Sequence, residues 1–431
     1  MRKHSPTKHL NPNVKNVGVS ATVAINDLSN QLRREGREIF KLGLGESPFP
    51  VPAPVVEALK NAASQKSYLP VNGLMELREA VAEHHQRQFG INCDPGDVLI
   101  GPGSKELMFL LQLVYYGDLM IPSPSWVSYA PQATIIGRDI HRVQTCFDNN
   151  WLLVAEELEE LCLEDPGRAR LLILNYPSNP TGRTYSAAQL EELAEVAQRH
   201  GVLVLSDEIY GKLHYEGRHQ SIVPMYPVGT VFSGGLSKWC GAGGWRLGVF
   251  VFPPELRWLR EAMSSVASET FTSTSNPIQH AAVRAFQEGP EIEDYLVDER
   301  RILKALGHAL TEKLSRAGVK VLEPEGAFYL FPDFSAFSER FLRSQIEDDT
   351  RMCEKLLAET GVAILPGSAF GRDAGELTAR LAYVDFPGGE ALEAARSIPK
   401  DERIDGSFLQ DHCGRMLEAV DRIIAWIHQA P

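Results

Sequence analysis

Five short apolar runs limit what this chain can become: Val98 to Gly101, Leu171 to Asn175, Val202 to Ser206, Thr230 to Ser233 and Leu247 to Phe252. Within each, apolar residues stand at successive positions instead of alternating with polar ones, the pattern of a strand covered on both faces. Helical stretches separate several of them. One is well signed: Ser186 with Gln189 makes a capping box, Leu190, Leu193 and Val196 form a stripe, and Gly201 ends it. The stretch after Ser104, with Leu107 to Leu111, Leu113 and Val114, is apolar all round and belongs in the interior. Runs and helices alternating over roughly 200 residues predict an α/β domain on a mostly parallel sheet, with its ligand crevice at the carboxyl ends of the strands.

The flanking regions have a different texture. Lys41 to Pro54 is too rich in glycine and proline for regular structure, and Gly43 and Gly45 there either form a plain turn or let backbone approach a neighbour closely. Leu77, Ala80, Val81, His84 and Phe89 mark a helix that stops at Gly90; His84 and His85 are expected on its solvated face, not as metal ligands. A stripe through Tyr295, Ile302, Leu306, Leu310 and Leu314 runs to Gly318, long enough to link two domains. Beyond it, strands near Val319 to Leu322, Phe328 to Phe331, Val362 to Leu365 and Arg380 to Val384, with a closing helix from Leu409 to Ile427, predict a smaller α+β domain.

With 431 residues, 44% of them apolar, the chain buries a large core without metal or disulfide staples. Its formal charge of -13 argues against nonspecific binding to nucleic acid or anionic membranes. The six cysteines form no C-x-x-C pair and read as reduced thiols, and no metal site is expected. No window reaches the roughly 20 apolar residues of a membrane span. The basic opening MRKHSPTKHLNPNVKN lacks an apolar core and carries Pro6 and Pro12, so it reads as a flexible arm and the expected location is the cytoplasm.

Residues that carry chemistry fall where the apolar runs end. Lys238 stands among small residues in Ser233 to Phe250 (SGGLSKWCGAGGWRLGVF), a setting that suits a Schiff base between one amine and the aldehyde of pyridoxal 5'-phosphate. Arg246 supplies a fixed cation for its phosphate. GPGSKEL opens a helix, so the N–H groups of Gly103, Ser104 and Lys105 make an anion seat. Trp126, after a further strand, is either a stacking ring or a core residue. Asn179, before Pro180 in NYPSNPTG, has its amide free to point inward. Asp207 in SDEIY follows an apolar strand and needs a cationic partner such as a protonated pyridine nitrogen, whereas Glu208 reads as a capping or solvated residue.

The ordered set NPTG, SDEIY and SK followed by GWRLG resembles the fold-type I pyridoxal-phosphate enzymes, and among them the class I aminotransferases, from about Gly43 to Tyr383. The resemblance implies a large cofactor domain, its mixed, mostly parallel sheet sandwiched by helices, and a small α+β domain built from both chain ends. The corresponding boundaries are 1–55 for the arm and first small-domain segment, 56–300 for the cofactor domain and 301–431 for the rest of the small domain. It implies that Lys238 holds the cofactor aldehyde, Asp207 bonds the pyridine nitrogen, Asn179 and Tyr210 contact the ring hydroxyl, and Trp126 stacks on the ring. Gly103, Ser104, Lys105 and Arg246 then hold the phosphate, with Tyr68 reaching it from the partner subunit of a homodimer. Arg380 matches the arginine that clamps a substrate α-carboxylate, and Gly45 the glycine beside the substrate. One place departs: many relatives carry a phosphate-binding serine where this chain has Gly235, leaving the hydroxyl to Ser233 or Ser237.

The activity so implied is transfer of an amino group between an L-amino acid and a 2-oxo acid by a ping-pong mechanism. Lys105 occupies the place of a lysine that binds a distal carboxylate in the aspartate and prephenate subgroup, which favours aspartate or glutamate. Aromatic donors are the alternative if Trp239, Phe49 and Tyr129 line a flat pocket. C-S lyases and aminocyclopropane-carboxylate synthases share the same lysine, aspartate and arginine. A ligand-sensing transcription regulator would need a DNA-binding domain, and the segment before Lys41 shows no helix-turn-helix pattern.

Overall fold

A seven-stranded sheet forms the centre of the protein in a computed structural model that describes residues 9–15 and 17–429. In chain order the strands begin with β1 (Phe40–Lys41), β2 (Val98–Gly101), β3 (Asp118–Ser123), β4 (Ile140–Gln144), β5 (Arg170–Asn175) and β6 (Leu203–Asp207). They continue with β7 (Thr230–Gly235), β8 (Gly248–Val251), β9 (Tyr329–Leu330), β10 (Val362–Ala363), β11 (Leu365–Pro366) and β12 (Ala379–Ala382). The main sheet has the order β2-β8-β7-β6-β5-β3-β4, and every pairing is parallel except those of β8, which is antiparallel to both neighbours. The fold is therefore α/β on a mixed, mostly parallel sheet.

The continuous apolar runs have their physical reason in this sandwich. Leu171 and Ile173 pack into one layer with Leu107, Leu111 and Met263, while Leu172 and Leu174 pack into the other with Leu190 and Leu193. With both faces covered, the middle positions of β5 are apolar throughout. The helix Ala187–His200 carries the expected cap: Gln189 N donates to Ser186 Oγ at 3.4 Å, Ser186 N donates to Gln189 Oε1 at 3.0 Å, and Gly201 closes it at φ 63°. The linking helix Pro290–Arg316 has 27 residues, about 40 Å at 1.5 Å per residue, and buries its predicted stripe. A smaller antiparallel sheet orders β11-β12-β9, and β1 pairs in parallel with β10, Phe40 opposite Val362. The closing helix spans Gly406–Gln429.

Several local expectations differ. Val319 to Leu322 forms no strand, only an isolated bridge between Lys320 and Asp333, because the chain there leaves the linking helix in a turn. His84 and His85 are buried, not solvated: the helix Met75–Phe89 packs on both the sheet and the helix Asn276–Gln287, so its polar shoulder is covered. His84 Nδ1 faces Glu288 at 3.2 Å, and His85 lies edge-on to Phe89 and Phe232. Burial pushes His85 down to about 4, so it is neutral at physiological pH. A helix, Ala21–Arg34, occupies sequence that gave no helical expectation, and most of the basic opening arm lies outside the described residues. Among the described residues no helix is long and apolar enough to cross a membrane.

Candidate active site

Strand register builds the floor of the site. Parallel pairing sets Asn175 opposite Asp207 and Asp207 opposite Ser233, a row of polar residues at the carboxyl ends of β5, β6 and β7. Asp207 is 2% exposed; Tyr129 OH donates to its Oδ2 at 2.5 Å and Ser233 Oγ to its Oδ1 at 3.3 Å. Burial raises its carboxyl to about 6 against these hydrogen bonds, so a cation at this position is strongly favoured. Asn175 Nδ2 bonds the Asp207 carbonyl at 2.9 Å, and its Oδ1 accepts from Asn179 N at 2.8 Å, tying the NPTG turn to the same edge.

Above this floor, the turn after β7 brings in Lys238. Its Nζ donates to the Gly45 carbonyl at 2.7 Å and lies 5.6 Å from the Tyr210 ring centroid and 5.9 Å from that of Phe328. Burial, then the Arg380 cation, lowers the amine to about 8. An amine so placed is available as a nucleophile and proton carrier near neutral pH. Gly45 has no room for a side chain, since a Cβ there would overlap the Tyr329 hydroxyl.

The antiparallel insertion of β8 makes the anion seat. Gly101 of β2 pairs with Gly248 of β8, so the chain entering β8 carries Arg246 onto the start of the helix Ser104–Val114. Arg246 takes a left-handed φ of 54° and bonds the carbonyls of Gly243 and Pro102 at 3.0 and 3.4 Å. Lys105 Nζ sits 5.0 Å from the Trp126 ring centroid, and burial and Arg246 both lower its amine. Gly103 has φ 90°, and a Cβ there would overlap the Arg246 guanidinium. Gly103→Ala is therefore expected to weaken binding of a phosphorylated cofactor about tenfold or more while the fold persists, checked by equilibrium dialysis and circular dichroism.

Opposite the lysine, the small sheet contributes Arg380 from β12, 1% exposed. Its Nη1 donates to Asn179 Oδ1 at 3.0 Å, its Nη2 to the Gly43 carbonyl, and its Nε is buried without a partner. Buried guanidinium N–H groups left over after protein contacts are suited to a carboxylate. Two residues given no catalytic role by sequence reasoning join here. Tyr329 of β9 exchanges a 2.7 Å hydrogen bond with Tyr210 and receives one from Asn179 Nδ2 at 3.5 Å; Tyr129 holds Asp207. Tyr329 was hidden because apolar neighbours in AFYLF make it read as core, and only its hydroxyl distinguishes it from Phe328 and Phe331.

This geometry agrees with comparisons to known proteins. The family model "Aminotransferase class I and II" matches residues 37–385. The chain is a class I and II aminotransferase. It is 34% identical over 356 residues to the aspartate/prephenate aminotransferase of Thermus thermophilus, covering 81% of this chain and 89% of that one. It is 33% identical over 362 residues to the aspartate aminotransferase of Geobacillus stearothermophilus, covering 82% and 89%. The solved aspartate aminotransferase of Thermus thermophilus with maleate superposes with a TM-score of 0.81 at 32% identity, covering 90% of this chain and 98% of that one. As an aminotransferase, this chain moves an amino group between an amino acid and a 2-oxo acid, in a family that generally depends on pyridoxal 5'-phosphate.

Not every expected residue of the aminotransferase converges. Tyr68 is 89% exposed in the single chain. Trp239 and Phe49 line no flat pocket: both are in the main core, Trp239 beneath the Lys212 ammonium and Phe49 edge-on to Phe386. The Ser233 hydroxyl is turned to Asp207, away from the anion seat. Gly235 has its own reason for lacking a side chain, since a Cβ would stand 2.7 Å from the Leu247 carbonyl oxygen. Glu208, expected as a capping or solvated residue, is 5% exposed and fully hydrogen-bonded.

Proposed function

We propose that this aminotransferase takes a dicarboxylic donor, aspartate or glutamate, with 2-oxoglutarate as acceptor, and works with pyridoxal 5'-phosphate. The observation that carries the reading is a local excess of cations in an acidic protein: Arg246, Lys105, Lys238 and Arg380 gather where the carboxylates are Asp207 and Glu46, against a formal charge of -13 for the chain. Such a field suits a ligand set with a phosphate and two carboxylates. The names of the relatives, aspartate and aspartate/prephenate aminotransferases, support the same substrates, as does the maleate in the Thermus structure, itself a dicarboxylate.

The residues fit the cofactor. A methyl group on Gly103 would overlap Arg246, Asp207 is buried with a raised carboxyl held by Tyr129 and Ser233, and Lys238 donates to the Gly45 carbonyl. Gly103, Ser104, Lys105 and Arg246 would hold the phosphate, Asp207 the ring nitrogen, Asn179 and Tyr210 the ring hydroxyl, and Trp126 the ring face. When bound, the cofactor supplies an aldehyde that condenses with amines and a protonated ring that draws electrons from the substrate α-carbon. Asp207, ionised against that ring nitrogen, keeps it protonated. Arg380 binds the substrate α-carboxylate and fixes which α-carbon bond stands toward Lys238, while Asn179 holds the guanidinium in place. Lys238 would carry a proton to and from the substrate α-carbon. The Lys105 ammonium, 5.0 Å from the Trp126 ring centroid, would receive the distal carboxylate.

Lys105→Met is expected to lower kcat/KM for aspartate and glutamate about tenfold or more relative to alanine, read as half-reactions from cofactor absorbance against an amino-acid panel. Equal loss for neutral and acidic donors would remove the dicarboxylate assignment. We also propose a homodimer in which Tyr68 reaches the partner's anion seat, and a small domain formed from residues 1–55 with 301–431; the β1–β10 pairing supports the second. An active monomer in sedimentation would contradict the first.

A further inference from the structure

Directly behind Asp207, on the other side of the strand end, lies a second buried acid with a built environment. The Glu208 Oε1 atom accepts from Ser221 Oγ at 2.5 Å, Ser206 Oγ at 2.8 Å and Tyr176 OH at 3.4 Å, and Oε2 faces His219 Nε2 at 2.6 Å. Both side chains are nearly inaccessible, 1% for Glu208 and 5% for His219. Tyr176 is itself locked, exchanging a 2.8 Å bond with Ser206 and accepting from Ile222 N at 3.0 Å. His219 is packed between the Tyr176 ring, 5.4 Å away, and Gly211, where a Cβ would stand 2.9 Å from the imidazole. Its Nδ1 is buried without a partner.

The charges in this space can be counted. Facing Glu208 from β5 and the following turn is Tyr176, from the 219–221 segment His219 and Ser221, and from its own strand Ser206; Asp207, with Tyr129 and Ser233, occupies the opposite side. His214 is a further ring that feels His219. Of these, His219 is the basic side chain in contact with Glu208. A buried carboxylate without a cation is costly, and two adjacent carboxylates raise each other's proton affinity. Glu208 already acts on Asp207 in that direction.

We propose that His219 is a positioning residue for Asp207: its 2.6 Å contact with Glu208 Oε2 holds and offsets the second carboxyl group behind the strand, so that Asp207 remains an anion where the cofactor ring stands. The inference takes from the functional reading only that Asp207 faces that ring. Hydroxyls from Ser206, Ser221 and Tyr176 orient Glu208 toward the imidazole, and the tie from Tyr176 to Ile222 holds the 219–222 segment against the strand end. The arrangement separates two tasks at consecutive residues: Asp207 presents charge to the ligand, and Glu208 with His219 keeps that charge from being titrated away.

The test uses full-length, cofactor-free protein labelled with [4-13C]aspartate, the Asp207 carboxyl signal being identified by its loss in Asp207→Asn. In the wild type its midpoint is expected at about 6. His219→Gln, which leaves Glu208 unpaired, should move that midpoint up by about half a pH unit or more, and Glu208→Gln, which keeps the shape and hydrogen bonds, should move it down. The double variant should return it to near the wild-type position. A purely structural role predicts altered thermal stability with an unmoved Asp207 midpoint, and that result, or shifts of the same sign in both single variants, overturns the proposal. If His219→Gln does not fold, the downward shift in Glu208→Gln decides alone. Because the titration is read without cofactor, its failure is distinct from failure of the chain to bind pyridoxal phosphate, which dialysis of the wild type against the cofactor measures separately.

Discussion

Lys238→Ala is expected to fold and to retain pyridoxal phosphate noncovalently, with transamination lowered by about four orders of magnitude or more. Two proposed functions would leave with the amine: the covalent hold on the aldehyde and the proton transfer at the substrate α-carbon. The remaining anchors come from other elements, Gly103 and Ser104 from a helix start, Arg246 from the turn into β8 and Asp207 from β6, so binding survives. In the free protein the amine contacts little besides the Gly45 carbonyl, and its removal relieves a burial that lowers it to about 8, so the variant is not expected to be less stable. Borohydride reduction followed by peptide mapping should label the wild-type peptide around position 238 and leave the variant unlabelled. Substantial turnover by the variant would overturn the assignment of Lys238.

The second large effect is expected at Asp207, with opposite signs for activity and stability. Asp207→Asn removes the anion proposed to keep a ring nitrogen protonated, and loss of a buried ionic partner amounts to about 3–5 kcal/mol, so turnover should fall about 150-fold to 5000-fold. In the cofactor-free protein the same change should stabilise. The folded carboxyl sits at about 6, above its ordinary 3.8, so the native state holds the proton more tightly than the unfolded chain. Its contribution is fully present below pH 3.8 and is lost as pH rises through about 6, a difference of about 3 kcal/mol at 1.36 kcal/mol per unit. Asparagine does not titrate, so urea unfolding of the cofactor-free variant should show a gain over the wild type at pH 7 that shrinks toward pH 4. An identical pH dependence in both proteins would place the raised carboxyl elsewhere.

The sheet was readable because burying both faces of a strand forces an unbroken apolar run, which is how β5, β6 and β7 announce themselves. β4 did not, since its sequence IHRVQ lies at the sheet edge with polar positions open to solvent. The candidate site residues stood out where chemistry demands an unusual residue in a given setting: a lysine among glycines, an aspartate ending an apolar strand. Tyr329 and Tyr129 were not, because a buried tyrosine looks like any core aromatic until a partner for its hydroxyl is known. His84 and His85 misled for the reverse reason: helical periodicity assigns a face to a residue, but two other elements cover the face they occupy.

The guanidinium of Arg380 donates to the carbonyl of Gly43, 337 positions earlier in the chain. During synthesis, then, the carboxylate site proposed at Arg380 cannot assemble until nearly the whole polypeptide has left the ribosome. Because β8 also follows Arg246 in the chain, the anion seat it completes waits on later segments too, so neither candidate pocket can form on a half-made polypeptide.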